Sequence, residues 1–590
     1  MTAIVVLSAQ ALPLAQRLRA VLPGAEVHGL VGRVSEAEVS FADTMGHLRG
    51  LFAAGRTIIG LCAAGILIRA VAPLLADKHQ EPPVLAVGDG AVVPLLGGHH
   101  GANALARRIA AALDLCAAVT TAGDGAFGIA LDEPPAGWTV TNPGAVKAVT
   151  AALLAGEPVG LTVEAGDAAW LKAAPFRESG RLSVRVTDRF AEAGDGLILH
   201  PPVLAVGVGC ERNASAEELT GLVRDALAAQ GLAEGAVACV VSVDAKADEP
   251  AVHAVAAALG VPARFFPPAA LEAEAPRLVN PSEVVFREIG CHGVAEGAAL
   301  AAVGATGRLI QPKLKSARCT CAIARAEACL DPTTIGRARG SLTVVGIGPG
   351  TPDWRTPQAT RAIAEAEDLV GYALYLDLLG EAAAGKRRHH SALGAEEDRV
   401  RVALDLAAEG RRVALVCSGD PGIYALATLV FELMERQRRA DWDRLEVSVV
   451  PGLSAMQAAA ARIGAPLNHD FCAISLSDLL TPWPMIEKRL HAAAEADFVV
   501  AFYNPVSQRR RDQLAKARDI LLTGRPATTP VVLARNLGRS GETVEVTSLG
   551  ALAVDQVDML TMVLVGSSDS RLTRSGRVFT PRGYAAKMRD

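Results

Sequence analysis

Short apolar runs alternate with alanine-rich amphipathic runs along the whole chain. Ala3–Leu7, Thr57–Cys62, Leu204–Val208, Val237–Val243, Leu342–Ile347, Arg412–Cys417, Phe498–Phe502 and Thr561–Val565 read as strands, with helical runs between them. Such alternation predicts a multidomain α/β protein built on parallel sheets. The pattern breaks at 326–340, where Pro332, Gly336 and Gly340 fall in a stretch with neither period, so this reads as a linker. Ahead of it, 1–120 reads as one α/β module and 201–325 as another. The stretch 121–200, richer in glycine and proline, reads as a small middle module. Residues 341–584 form the last domain. Ser215 with Glu218 three positions on predicts a capping box before Leu219, Leu222 and Val223.

Composition narrows the class. At 590 residues the chain exceeds what one core supports. Hydrophobic residues make up 51%, but the most apolar stretch, Gly60–Ala76, contains Arg69 and is too short to span a bilayer. Thr2–Leu7 reads as a strand rather than a leader, which points to the cytoplasm. Ten cysteines include one close pair, Cys319 and Cys321, without the second pair of a structural zinc site, so reduced thiols and no metal are expected. A formal charge of −5 argues against a nucleic-acid binder. Local basic clusters remain, among them Arg509–Arg511 and Arg535 with Arg539.

Four loops in the second half carry the most information: GIGPG (Gly346–Gly350), SGDPGIY (Ser418–Tyr424), PGLSAM (Pro451–Met456) and FYNP (Phe502–Pro505). Each follows an apolar run, which places it at the carboxyl end of a strand, where open α/β sheets bind ligands. Thr356 with Pro357 predicts a capped helix start, and a helix is expected over Met456–Ile463. Pro349 breaks the dinucleotide fingerprint, which disfavours a nicotinamide oxidoreductase, and no G-x-x-x-x-G-K-[ST] occurs. Asp420, at a strand end, can accept ribose hydroxyls, face a cation or cap the helix that follows. The small residues after Ser454 allow close approach of a ligand or of a sheet.

SGDPGIY, PGLSAMQAAAARIGAPLNHDF and AFYNP together resemble the tetrapyrrole methyltransferase family, in particular its precorrin-3B C-17-methyltransferases, over 341–584. The resemblance implies two α/β subdomains with S-adenosylmethionine bound in the cleft, a carboxylate-rich tetrapyrrole as acceptor, and a homodimer. It further implies that Pro349, Ser418, Gly419, Asp420, Ile423, Tyr424, Ser454, Ala455, Tyr503, Asn504, Asn536 and Leu537 line the donor pocket. The arginine clusters (Arg509, Arg510, Arg535, Arg539) then suit carboxylate clamps, because a guanidinium fork matches such groups. Methyl transfer to a ring carbon needs positioning rather than a covalent intermediate; orientation alone can supply about 7–11 kcal/mol. The family reaction also contracts the ring, for which a proton-transfer group is sought among His469, Asp470, His389 and His390, with His469 preferred.

In the first half three passages stand out: the turn Gly98–His99–His100–Gly101–Ala102–Asn103 before a helix expected at Ala104–Leu113, Lys246 among carboxylates in Ser242–Glu249, and Gly290–Glu296. His99, His100, Cys291, His292 and Glu296 could supply metal ligands, though ordinary helix starts explain them as well. With GVGCERNAS (Gly207–Ser215), these passages resemble the cobalt-precorrin-5A hydrolase family over 1–325. The resemblance implies lactone opening, with His99 or His100 activating water and Lys246 stabilising an oxyanion. The histidine turn is one glycine shorter than the family's G-H-x-G-G-A-N. A non-catalytic tetrapyrrole carrier therefore stands beside the hydrolase reading, as a different ring position stands beside C-17 for the methylase.

Overall fold

The computed structural model describes residues 2–584 apart from 23, 35, 77–80, 120–126, 193, 195, 392–393 and 508–509. The chain divides into two compact units, Met1–Arg339 and Gly340–Asp590.

Among the described residues the first unit carries three sheets. A seven-stranded sheet runs Val39–Phe41, Glu26–Leu30, Thr2–Val6, Thr57–Leu61, Val84–Val87, Ala91–Leu96, Cys116–Ala117, parallel except where Val84–Val87 meets Ala91–Leu96. A four-stranded sheet of Thr139–Val140, Leu197–His200, Leu182–Val186 and Val159–Val163 has its own core around Trp138, Leu171 and Val184. The third sheet runs Ala263–Phe266, Val237–Val243, Leu204–Cys210, Cys319–Arg325, Arg308–Lys315. Cys319 and Cys321 lie in its core, and burial pushes the Cys321 thiol up to about 12. The aperiodic stretch before Gly340 is docked rather than slack. Arg264 donates to the carbonyls of Ile335, Thr333 and Gly336, and Phe265 pairs with Arg337. Ser215 caps its helix through the Glu218 amide, but the expected reciprocal bond is absent, because the Glu218 carboxylate instead accepts from Ser316 Oγ and the Arg318 amide.

The second unit holds two sheets that position the site. The first is fully parallel, in the order Arg387–Ser391, Asp368–Tyr372, Arg412–Cys417, Ser341–Gly346, Glu446–Val450. Both its faces are covered, as a parallel sheet requires. Helix Pro357–Glu365 packs on one face through Ala359 and Ile363; Glu396–Ala408 and Leu426–Gln437 pack on the other through Val400, Leu404 and Val430. The second sheet is mixed, in the order Phe471–Ser475, Val499–Tyr503, Thr561–Val565, Pro530–Arg535, Thr543–Ser548. Helix Ala455–Ile463, which opens from the first sheet's last loop, packs on this second sheet: Ala459 and Ile463 share a core with Ala501, Val532 and Leu564. Its small residues thus serve helix–sheet packing, while Ser454 and Ala455 stay at the loop. Among the described residues no helix is long and apolar enough to cross a membrane.

Candidate functional site

The two central strands of the first sheet create the opening. After Ser341–Gly346 the chain leaves for the helix on one face; after Arg412–Cys417 it leaves for the helix on the other. Adjacent strands whose connections diverge leave a crevice beyond their carboxyl ends. The loops GIGPG and SGDPGIY rim it, and they are pinned together there. The Gly348 amide donates to the Gly419 carbonyl at 3.3 Å, and the Gly348 carbonyl accepts the return bond from the Gly419 amide at 2.9 Å. Asp420 ties in the third loop, its carboxylate accepting from the amides of Gly452 (3.2 Å) and Gly422 (2.8 Å). The packing behind these bonds demands glycine. A Cβ on Gly346 would fall 2.6 Å from the Gly419 carbonyl oxygen and 2.7 Å from Gly452 N, and one on Gly452 would strike the same oxygen harder.

Arg539 closes the ring from the second sheet. Its guanidinium donates to the Pro349 carbonyl (2.8 Å) and to Ser418 Oγ (3.0 Å), and burial lowers its pKa. Ser454 caps helix Ala455–Ile463 in a full capping box with Gln457, a pairing legible in S-x-x-Q but not singled out in the sequence. On the FYNP side, the Tyr424 hydroxyl donates to the Ala473 carbonyl at 2.8 Å and its ring lies 5.2 Å from that of Tyr503. Asn504 Nδ2 donates to Ser475 Oγ at 3.1 Å. Tyr424, Asn504 and Asn536 all hold positive φ, at 52°, 48° and 51°.

The four loops therefore meet at one place, and the pocket residues expected on them come together, Leu537 behind them in the core rather than on the surface. Two features fit a bound nucleoside. Open space lies beside Gly419, where an added Cβ would meet nothing within 4 Å. The Tyr503 hydroxyl is buried near Ser454 and Met456 without a hydrogen bond of normal geometry, and burial raises its pKa.

Other expectations change. Arg510 is only 8% exposed; it donates to the Asn504 carbonyl at 3.1 Å and faces Asp478 at 3.8 Å, so it holds a loop and is no free clamp. Arg539 likewise points inward to the loops. Arg535 is paired with Asp558 at 2.7 Å, and Arg509 lies outside the described residues. His469 is exposed beside Asp470 and precedes strand Phe471–Ser475, so it sits at the edge opposite FYNP, a strand's length of roughly 13 Å away. His389 is bonded to the fully buried Asp368, which also takes Arg387 and Arg411.

In the first unit, His99 and His100 occupy a 3-10 turn between strand Ala91–Leu96 and helix Ala102–Leu113; the His99 side chain lies outside the described residues and His100 is exposed. The Gly290–Glu296 residues do not converge. Glu296 is consumed by the amides of Val279, Asn280 and Lys313 and by Asn280 Nδ2; burial pushes its carboxyl up, but these bonds hold it below the ordinary value. His292 pairs with Glu272 and stacks on Phe286. Among the described residues no three metal-ligating side chains are grouped. Lys246 lies 3.8 Å from Glu249, one of the carboxylates expected around it; what the sequence did not reveal is that Glu249, 1% exposed, accepts from the Asn213 amide with one oxygen and faces Lys246 and Arg212 with the other.

Residues 341–553 match the model of the Tetrapyrrole (Corrin/Porphyrin) Methylases; 204–324 and 46–124 match those of the Cobalamin synthesis G C-terminus and N-terminal. The cobalamin biosynthesis protein CobIJ of Mycobacterium bovis is 47% identical over 42% of this chain and 48% of its own, so the chain spans about half the length of that relative. The probable cobalt-factor III C(17)-methyltransferase of Salmonella typhimurium is 45% identical over 41% of this chain and 99% of its own. The crystal structure of the methyltransferase CobJ shares 42% identity over 41% of this chain and all of its own, with a TM-score of 0.39. With nearly the whole of such a methyltransferase contained in its second half, the chain belongs to the tetrapyrrole methylase family.

Proposed function

We propose that the second unit is an S-adenosylmethionine-dependent methyltransferase of corrin-ring synthesis, acting at C-17 of a precorrin-3B or cobalt-factor III macrocycle, with ring contraction. We further propose that the first unit is a cobalt-precorrin-5A hydrolase-like module on the same chain. The observation that carries the reading is the convergence of GIGPG, SGDPGIY and PGLSAM through the Gly348–Gly419 and Asp420–Gly452 bonds. When bound, the donor supplies a methyl group activated on a sulfonium. Asp420 provides negative charge at the crevice, Gly419 leaves room for the nucleoside, and Tyr503 offers a hydroxyl in need of a partner. Pro349, Ser418, Ile423, Tyr424, Ser454, Ala455, Asn504 and Asn536 complete the pocket, with Leu537 as its floor. Arg535, the most exposed of the described candidate arginines, is the acceptor contact we retain.

In the first unit, Lys246 with His100 or His99 is proposed for the hydrolytic role. The ten cysteines are free thiols, which suits a reducing cytoplasm. A homodimer through the methylase unit is part of the proposal and is read by sedimentation. Calorimetry with S-adenosylmethionine, followed by mass spectrometry of turnover with cobalt-factor III, tests the methylase. Uptake of one methyl group per macrocycle is expected; no donor heat would sink the reading. A lactone-bearing cobalt-precorrin tests the first unit: hydrolysis would open the lactone and release the extruded ring carbon with its methyl as acetaldehyde, and binding without release would make the unit a carrier.

A further inference from the structure

We propose that Leu479 and Leu480 form a rigid apolar rest for one face of the methyl acceptor's macrocycle, an inference that rests on the methyltransferase reading above. Their side chains are 86% and 97% exposed, the two most exposed large apolar groups among the described residues. They stand on the loop 476–482, directly after strand Phe471–Ser475, and neither contributes to the core beneath.

The loop is held from both ends. The Ser477 amide donates to Ser475 Oγ at 3.3 Å, and the Asp478 carboxylate accepts from Gln513 Nε2 at 3.0 Å and faces Arg510 at 3.8 Å. Helix Trp483–Glu495 begins at once after Pro482, with Trp483 packed against the core. An adjacent pair of leucines fixed in water is a surface that lacks its partner.

The partner is indicated by what the loop is bonded to. Ser475 Oγ, which receives the Ser477 amide, also receives Asn504 Nδ2, and Arg510 bridges the Asn504 carbonyl to Asp478. The leucine tip and the FYNP turn are thus one hydrogen-bonded body, and Tyr424 ties the SGDPGIY loop to the same strand through Ala473. An acceptor whose carbon meets the donor at this edge must extend past these loops. A tetrapyrrole presents an apolar conjugated face within an anionic rim, and two leucines match the face. Buried Arg510, expected to grip the rim, is the strut that sets the height of this rest.

The test uses the full chain carrying Leu479→Ser with Leu480→Ser, and a second variant with both as Met. Initial rates with cobalt-factor III, calorimetry with S-adenosylmethionine and sedimentation velocity are compared. The serine pair should raise the macrocycle KM at least tenfold and leave donor affinity within twofold and sedimentation unchanged, while the methionine pair keeps the KM near its original value. An unchanged KM in the serine variant would overturn the proposal. A smaller sedimenting species at unchanged KM would make the tip a contact between copies. If the unaltered chain binds no S-adenosylmethionine, the methyltransferase reading fails first, and that result is distinct from both.

Discussion

In the second unit joints between the loops at the sheet edge use main-chain atoms, and one is main chain on both sides: Gly348 to Gly419, then the Asp420 carboxylate to the Gly452 amide and the Arg539 guanidinium to the Pro349 carbonyl. In the first unit the edge formed by Leu204–Cys210 and Val237–Val243 is joined by charges. There Arg212 bonds Asp248 and the Ala245 carbonyl, and Lys246 and Arg212 both face Glu249. The Gly348–Gly419 joint, main chain on both sides, is indifferent to salt, and Gly346 and Gly452 packed behind it leave no room for a Cβ. Charged joints tolerate substitution but answer to ionic strength and pH.

Gly452→Ala should break the contrast most. A Cβ there collides with main chain, and overpacking of this kind costs about 1–3 kcal/mol. We expect loss of S-adenosylmethionine binding and a lower melting transition for the second unit only; an intact donor isotherm would show that the loops are not stitched as described.

Acid should act on the first unit next. His28 is buried beside His47 (2.8 Å), and burial, then His47 and Arg56, lower its pKa from 6.5 to about 4. Its folded value lies below its unfolded one, so the associated stability is present above pH 6.5 and is lost as pH falls toward 4. The loss is up to about 3 kcal/mol. Thermal melts between pH 7 and pH 4 should show His28→Phe flattening this dependence in the first unit; an unchanged slope would acquit the histidine.

Arg539→Ala removes two charge-assisted bonds of about 1.5–3 kcal/mol each, and transmission of one bond's worth to the crevice is roughly a 10- to 100-fold loss in donor affinity. Calorimetry reads it, and a change confined to the macrocycle KM would return Arg539 to the role of clamp. Arg535→Ala should do least to stability, since an exposed pair with Asp558 is worth about 0–1 kcal/mol. A raised macrocycle KM without a shift in melting would identify it as an acceptor contact.

What was legible in the sequence was local. The strand ends under all four loops, the cap at Thr356 with Pro357 at the first helical position, and the helix near Met456–Ile463 depend on neighbours within a few residues, and the structure shows each. What was hidden depended on distant partners. Nothing near Arg510 in sequence reveals that Asp478, on another loop, would draw it inward. Glu218 was claimed by Ser316 rather than by its own helix start, and Glu249 by residues some three dozen positions away. The stretch before Gly340 lacked a period because Arg264 holds its carbonyls instead of a helix or a sheet.

Tyr424, Asn504 and Asn536 adopt a backbone shape that side chains other than glycine resist, and an aromatic residue resists more than asparagine. Each such turn costs on the order of 1–3 kcal/mol, met when the chain folds and not when a ligand arrives. The crevice is consequently preset, its entropy already surrendered before the first encounter. Glycine at 424 would relax this tension and firm up the resting protein, while leaving a looser mould for whatever enters.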